Sequence, residues 1–224
     1  MTDGHGGGDH RPGLTRQAVV EAALRLLDRV GLDALSTRRL AAEFGVKSSA
    51  LYWHFRDKEE LLGAMSATIQ LAQDFSGPSE GEAWAEWLVR RGREHRRLLL
   101  AHRDGARLVT ATSPGPEVAA QVEGELAVLV KAGFSPAAAL RSVMAIGHYV
   151  TGFVLAEQGD PHDSADGPPA GAAELLEANP VFADAIAEGG DPQSEAAFEH
   201  GLHMLVNGMR PYPKPPAKAL RERP

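Results

Sequence analysis

Cysteine is absent from the 224 residues, which excludes disulfides, thiolate nucleophiles and Cys-ligated zinc and fits a reducing cytoplasm. Long apolar runs are missing too. Arg, Glu, His or Gly interrupts each one short of the roughly 20 residues a bilayer span needs, so no membrane partner is expected. The segment 1–13 is rich in Gly, His and Asp but has neither the basic start nor the apolar stretch of a secretion signal. It reads as a disordered arm. Nor is there a nucleophile elbow, a phosphate loop or a metal triad, so no enzyme is expected and no cofactor is implied. His102 and Asp104 sit too close in sequence to imply a hydrolytic triad with a Ser. His200 and His203 are three apart, a spacing a metal can use, but no third ligand accompanies them.

An overall positive charge is also lacking: the formal net charge is -7. The excess is unevenly placed. Residues 1–60 carry nine Lys/Arg and nine Asp/Glu, whereas residues 61–224 carry fourteen and twenty-one. Phosphate affinity depends on local basic groups, and Arg38, Arg39, Lys47, Arg56 and Lys58 fall within one short segment. An acidic remainder does not veto nucleic-acid binding.

The periodicity is helical throughout, without β alternation or internal repeat. Val20, Ala23, Leu24 and Leu27 recur at helical spacing between Thr15, a candidate N-cap, and Gly31, a candidate stop. Ser36 or Thr37 caps a short helix through Phe44, and Gly45 turns the chain into a third short helix, about 48–54. Asp57 caps a fourth helix that begins at Lys58. After a break at 76–81, helices are predicted over about 83–97, 117–132 and 136–157, the last opened by Ser135 and Pro136. A mobile loop is predicted at 159–171 and a final helix from Asp191 and Pro192 to about Asn207. The fold class is therefore all-α: an N-terminal three-helix helix-turn-helix DNA-binding domain (14–60) and a helical ligand-binding and dimerisation domain (61–210), with a flexible tail (211–224).

The segment LSTRRLAAEFGVKSSALYWHFRDK, residues 35–58, carries the function. In a helix-turn-helix the second short helix lies in the major groove while the first crosses the backbone. Leu35, Leu40, Ala41, Val46 and Leu51 would form the small core, and Phe55 reads as core as well. Thr37, Arg38, Lys47, Ser48, Ser49, Tyr52, Trp53, His54 and Lys58 are left at or near the groove side. Hydroxyls and ammonium groups suit phosphate oxygens, and Ser48, Ser49 and Ala50 are small enough for the backbone to approach base edges. Alternatively, Tyr52 and Trp53 are core aromatics and Arg38 and Arg39 merely solvated charges.

The run VVEAALRLLDRVGLDALSTRRLAAEFGVKSSALYWHFRDKEELL resembles the TetR family signature. The resemblance implies that Arg38 and Ser48 to Ala50 read bases, while Thr37, Lys47, Tyr52, Trp53, His54 and Lys58 hold phosphates or buttress the recognition helix. HRDGARL at 102–108, GELAVLVKAGFSPAAAL and AIGHYVTGFVLAEQ resemble the C-terminal body of tetracycline repressors, so the likeness covers nearly everything after Leu14. It implies a ligand site at Arg91, His95, Val109, Thr112, Pro114, Val122, Glu125, Leu140, Val143 and His148. Several of these depart from the pattern. Val109 stands where a magnesium-ligating histidine is found, Arg91 where an asparagine is found, His95 for phenylalanine, Glu125 for glutamine, Ser113 for arginine and Ala156, beside Glu157, for a carboxylate. The expected inducer is accordingly not a magnesium–tetracycline chelate but a polyketide or another aromatic metabolite. Arg91 and Glu125 either face the cavity or pair with other surface charges. His102, Arg103 and Asp104 read as a network coupling body to head.

The resemblance further implies a homodimer joined by a four-helix bundle. Its helices, 136–157 and 192–207, carry the small residues Ala145, Gly147, Gly152, Ala196, Ala197 and Gly201. The partners implied are double-stranded operator DNA, a small-molecule inducer and a second copy of the chain. The predicted function is a cytoplasmic repressor released from a palindromic operator by its inducer, with the helix that starts at Lys58 as the lever. The competing prediction is a sequence-independent architectural DNA protein without a sensor.

Overall fold

The computed structural model describes residues 14–159 and 171–211. The predicted arm 1–13, the interior of the predicted loop 159–171 and the tail after residue 211 lie outside that range. Among the described residues every regular element is a helix.

Helix α1 (Arg16–Val30) starts where Thr15 Oγ1 accepts from the Ala18 N–H at 3.1 Å, and it buries Val19, Val20, Ala23, Leu24 and Leu27 on one side. It stops at Gly31, whose φ of 76° lets its N–H reach Leu27 O at 2.7 Å. Helix α2 (Thr37–Glu43) is capped by Ser36. The next element, Ser48–Trp53, is a 3-10 helix rather than an α-helix. It is six residues long, has no side-chain cap and buries only Leu51, conditions in which the tighter i→i+3 pattern is common. Leu35, Leu40, Ala41, Leu51 and Phe55 close the small core, but Val46 does not join it: it is 37% exposed on the turn after Gly45.

Helix α3 (Lys58–Leu71) is capped by Asp57, which accepts from the Glu60 N–H at 2.8 Å. It packs on α1 at one end and on the body at the other, so it crosses the expected boundary at residue 60 without a linker. The body contains α4 (Trp84–Leu100), α5 (Gly105–Thr110), α6 (Pro116–Lys131) and α7 (Pro136–Glu157). The chain continues with α8 (Ala172–Ala178), α9 (Pro180–Gly189) and α10 (Glu195–Gly208). By length and composition α7 is apolar enough to cross a bilayer, against the expectation that interruptions rule out every run. It lies instead at the centre of the body, with Ala139, Val143, Ile146, Val150 and Val154 buried and with α4, α5, α6 and α10 packed around it.

The C-terminal part departs from the predicted pattern. Two short helices, α8 and α9, occupy the stretch between the predicted loop and the predicted last helix, for which no element is predicted, and they pack against each other. The last helix begins at Glu195 rather than at Pro192. Asp191 spends its carboxylate on the Gln193 N–H in a local turn, and Ser194 takes the cap by accepting from the Ala197 N–H. Of the small residues expected at a partner interface, Gly201 is used within the chain. A methyl group there would lie 2.3 Å from the Tyr149 hydroxyl, which donates to Phe198 O. Gly147 and Gly152 face open space.

Candidate nucleic-acid surface and ligand cavity

The head presents two exposed aromatics on its short 3-10 helix: Trp53 is 89% and Tyr52 54% exposed. A core role for either is ruled out, while Phe55 is buried as expected. Arg38, Arg39, Lys47, Ser49 and Lys58 are also exposed, and Thr37, Ser48, Ala50 and His54 are half-buried beside them. Among the described residues no carboxylate lies within ion-pair distance of Arg38, Arg39, Lys47 or Lys58. The neighbouring arginines are engaged: Arg29 with Glu43, and Arg16 and Arg56 with Glu60. Of the cations left over, Arg38, Lys47 and Lys58 are those expected to meet phosphate or base, and Arg39 is not among the expected contacts.

Arg16 buttresses this surface from behind. It donates to His54 O at 2.6 Å and to Glu60 at 2.9 Å, and its guanidinium lies 4.3 Å from the Phe55 ring centre. Hydrogen bonds from the Arg56 N–H and the Arg16 guanidinium hold the Glu60 carboxyl at a pKa of about 2. Sequence reasoning did not single out Arg16, because an arginine at a helix start carries no pattern of its own.

The body holds a cavity of about 310 Å³ walled by α3, α4, α5, α6 and α7, within the size range of small-molecule sites. Arg91, His95, Val109, Val122, Glu125, Val143 and His148 line it as predicted. Thr112, Pro114 and Leu140 do not. The Thr112 hydroxyl turns back to Leu108 O at 3.2 Å, Pro114 is exposed on the connection before α6, and Leu140 is 45% exposed in the first turns of α7, one turn before Met144. Gln70, Gln73, Phe75, Leu88, Thr110, Val118, Met144, Ile146, Gly147 and Thr151 complete the wall. Gln70 and Gln73 come from the end of α3 and the turn after it, which only the tertiary fold brings to the cavity.

Arg91 and Glu125 are both buried, and they pair with each other rather than with surface charges. Gln73 donates to Arg91 O at 2.9 Å, Arg91 donates to Asp74 O at 3.3 Å, and the Phe75 ring lies 4.7 Å beneath the guanidinium. Burial lowers the Arg91 pKa to about 10, which leaves it charged at neutral pH. Burial, then the Arg91 charge, holds His95 at about 4, so His95 is a neutral imidazole there. Glu157, the carboxylate beside Ala156, is taken by Arg96 in a two-bond pair and does not line the cavity.

A third cluster joins the two regions. His102 and the Arg103 N–H both meet Asp28 at 3.1 Å, the Leu32 N–H donates to Asp104 at 2.8 Å, and Arg107 bridges Asp33 and Asp104 at 2.9 and 3.1 Å. Asp104 has a φ of 56°, the one positive value outside glycine among the described residues. Gly31 lies against this cluster, where an added methyl group would sit 3.0 Å from Asp104 Oδ2 and 3.1 Å from Arg103 Nε. The network expected of His102, Arg103 and Asp104 is therefore present.

Residues 19–65 match the profile of the bacterial regulatory proteins of the tetR family, and residues 77–212 match the tetracyclin repressor-like C-terminal domain. The chain is 39% identical over 198 residues to the tetracycline repressor protein class A from transposon 1721 of Escherichia coli, covering 88% of this chain and 90% of that protein. It is similar to a solved structure described as a possible TetR family transcriptional regulator from Streptomyces coelicolor A3(2), with a TM-score of 0.75 and 35% identity over 88% of this chain and 98% of that one. It is also similar to a class A TetR in complex with 5a,6-anhydrotetracycline and magnesium, at a TM-score of 0.64 and 37% identity over 88% and 98%. The cavity offers no all-protein donor set for the magnesium of that complex. Glu125 is committed to Arg91, and among the described residues no group of three or more His, Asp or Glu side chains is gathered closely enough to hold a metal.

Proposed function

The chain belongs to the TetR family, and from that premise we propose that it is a cytoplasmic repressor that leaves a palindromic operator when a small molecule occupies the cavity beside Arg91. The observation that carries this reading is α3, a single helix with Lys58 on the exposed basic surface of the head at one end and Gln70 in the cavity wall at the other. Thr37, Lys47, Tyr52, Trp53, His54 and Lys58 hold phosphates or support the reading element, while Arg38 and Ser48 to Ala50 meet base edges. Two heads held about 34–36 Å apart by a homodimer reach successive major grooves. Exposed Leu140 and Met144 on α7 and Met204 on α10 offer the partner an apolar face.

Ligand shifts the dimer toward a head spacing that suits the grooves poorly, and operator affinity falls by the ligand's differential affinity for the two states. A coupling of about 1–3 kcal/mol loosens the operator by one to two decades. A cavity with a buried charged pair has no role in an architectural DNA protein, which would bind any sequence alike. Footprinting the region upstream of the chain's own gene is expected to reveal one discrete palindrome. Protection that spreads evenly, or operator affinity unmoved by a compound shown to occupy the cavity, would refute the reading.

A further inference from the structure

Resting on that reading of the cavity, we propose that its inducer is uncharged, aromatic and bound without metal, accepted by Arg91 through a hydrogen bond and selected by the charge balance of the Arg91–Glu125 pair. The walls around the pair are apolar, with Leu88, Val118, Val122 and Val143 among them. Within such walls the guanidinium is already neutralised by Glu125, and His95 contributes no charge. An anionic ligand would have to compete with Glu125 for Arg91, and a cationic one with Arg91 for Glu125, each leaving a buried charge without its partner. A neutral ligand disturbs neither.

The pair nevertheless offers a contact. Arg91 lines the cavity and is 7% exposed, and among the described residues its Nε, like Glu125 Oε1, has no hydrogen-bond partner. A buried donor left unpaired is costly, so a carbonyl or phenol oxygen brought to it recovers that cost on binding. Phe75, set beneath the guanidinium, extends the same surface for a planar ring. Glu125 thus acts as the selectivity residue: it can accept from a neutral ligand's hydroxyl, and it excludes ligands that carry charge.

The test uses two ligands of nearly equal shape: chrysophanol, a neutral dihydroxy-anthraquinone bearing a methyl group, and rhein, which carries a carboxylate in place of that methyl. Both are titrated into the full-length protein by fluorescence quenching, with EDTA and again with magnesium. The wild type is expected to bind chrysophanol at least about tenfold more tightly than rhein, equally well with or without magnesium. Glu125→Gln, which uncovers the Arg91 charge, is expected to narrow or reverse that preference by about tenfold. Equal binding of the two by the wild type, binding of neither, a requirement for magnesium, or an unchanged preference in a folded Glu125→Gln would each overturn the proposal. The wild-type comparison stands alone if the variant does not fold. Binding of chrysophanol that left operator affinity unaltered would instead overturn the repressor reading and leave the ligand class intact.

Discussion

Asp104 lies at the junction of body and head, and replacing it separates two effects that coincide in the wild type. Its carboxylate, 14% exposed, accepts the Leu32 N–H at 2.8 Å, and its backbone holds a left-handed conformation. A hydrogen bond to a charged group contributes about 1.5–3 kcal/mol, and the left-handed region costs a residue with a Cβ about 1–2 kcal/mol, less for Asn or Asp. Asp104→Ala forfeits the bond and adds strain, so a loss of about 2–4 kcal/mol is expected. Asp104→Gly forfeits the same bond but relieves the backbone, for a loss of about 0.5–2 kcal/mol. Asp104→Asn keeps an acceptor oxygen and tolerates the conformation; losing the half-exposed contact with Arg107 costs it less than about 1 kcal/mol. The assay is urea unfolding at one fixed protomer concentration, since a dimer's midpoint depends on concentration. The order of stability expected is Asn above Gly above Ala. If Gly were no better than Ala, the positive φ would carry no strain; if Asn were as poor as Ala, the Leu32 bond would not be what holds the junction.

Arg38→Ala is expected to relax operator preference at one base pair by about 1–3 kcal/mol, whereas Lys58→Ala should weaken all sequences alike and lower the salt slope by about 1, both read by binding titrations on operator variants. Trp53→Ala, at an exposed site, should change stability by no more than about 0.5 kcal/mol while cutting operator affinity about tenfold; a large drop in melting temperature would contradict its placement. His95 titrates near 4 in the folded chain against 6.5 when free, so between those pH values the unfolded state holds the extra proton. Stability should therefore fall as pH drops through that window, by an amount on the order of 3 kcal/mol that His95→Gln removes. Unfolding curves for the two proteins that stayed parallel from pH about 7 to about 4.5 would show the imidazole to be solvated.

The head was legible because its signals are local. Thr15, Ser36 and Asp57 each cap the helix they precede, and Gly31 ends the first. What sequence could not supply was the depth of each side chain: Val46 is apolar enough for the core yet 37% exposed, and of the short 3-10 helix that follows only Leu51 is buried. In the body, seven of the ten expected cavity residues meet, since α4, α6 and α7 each present one face inward. Leu140 fails although it shares the helix face of Met144, Gly147 and Thr151, because it lies one turn nearer the start of α7, beyond the end of the cavity, and no spacing rule says where along a helix a cavity stops. The pairing of Arg91 with Glu125 joins two helices distant in sequence and is visible only in three dimensions. α8 and α9 carry no buried stripe among their described side chains to mark them: Leu175, Val181 and Phe182 are exposed and Leu176 and Ile186 only half-buried.

The continuity of α3 has a mechanical consequence. Fourteen residues at about 1.5 Å each make a rigid strut of roughly 21 Å, so a tilt of about 5° set at the sensor end displaces Lys58 by nearly 2 Å. There is no slack for that stroke to vanish into, as there would be in a Gly-rich tether. Under the proposed function, signalling through α3 would be a matter of angle rather than of order and disorder, and inserting even one residue midway along the strut would rotate its far end by about a hundred degrees and leave sensor and reader each intact but deaf to the other.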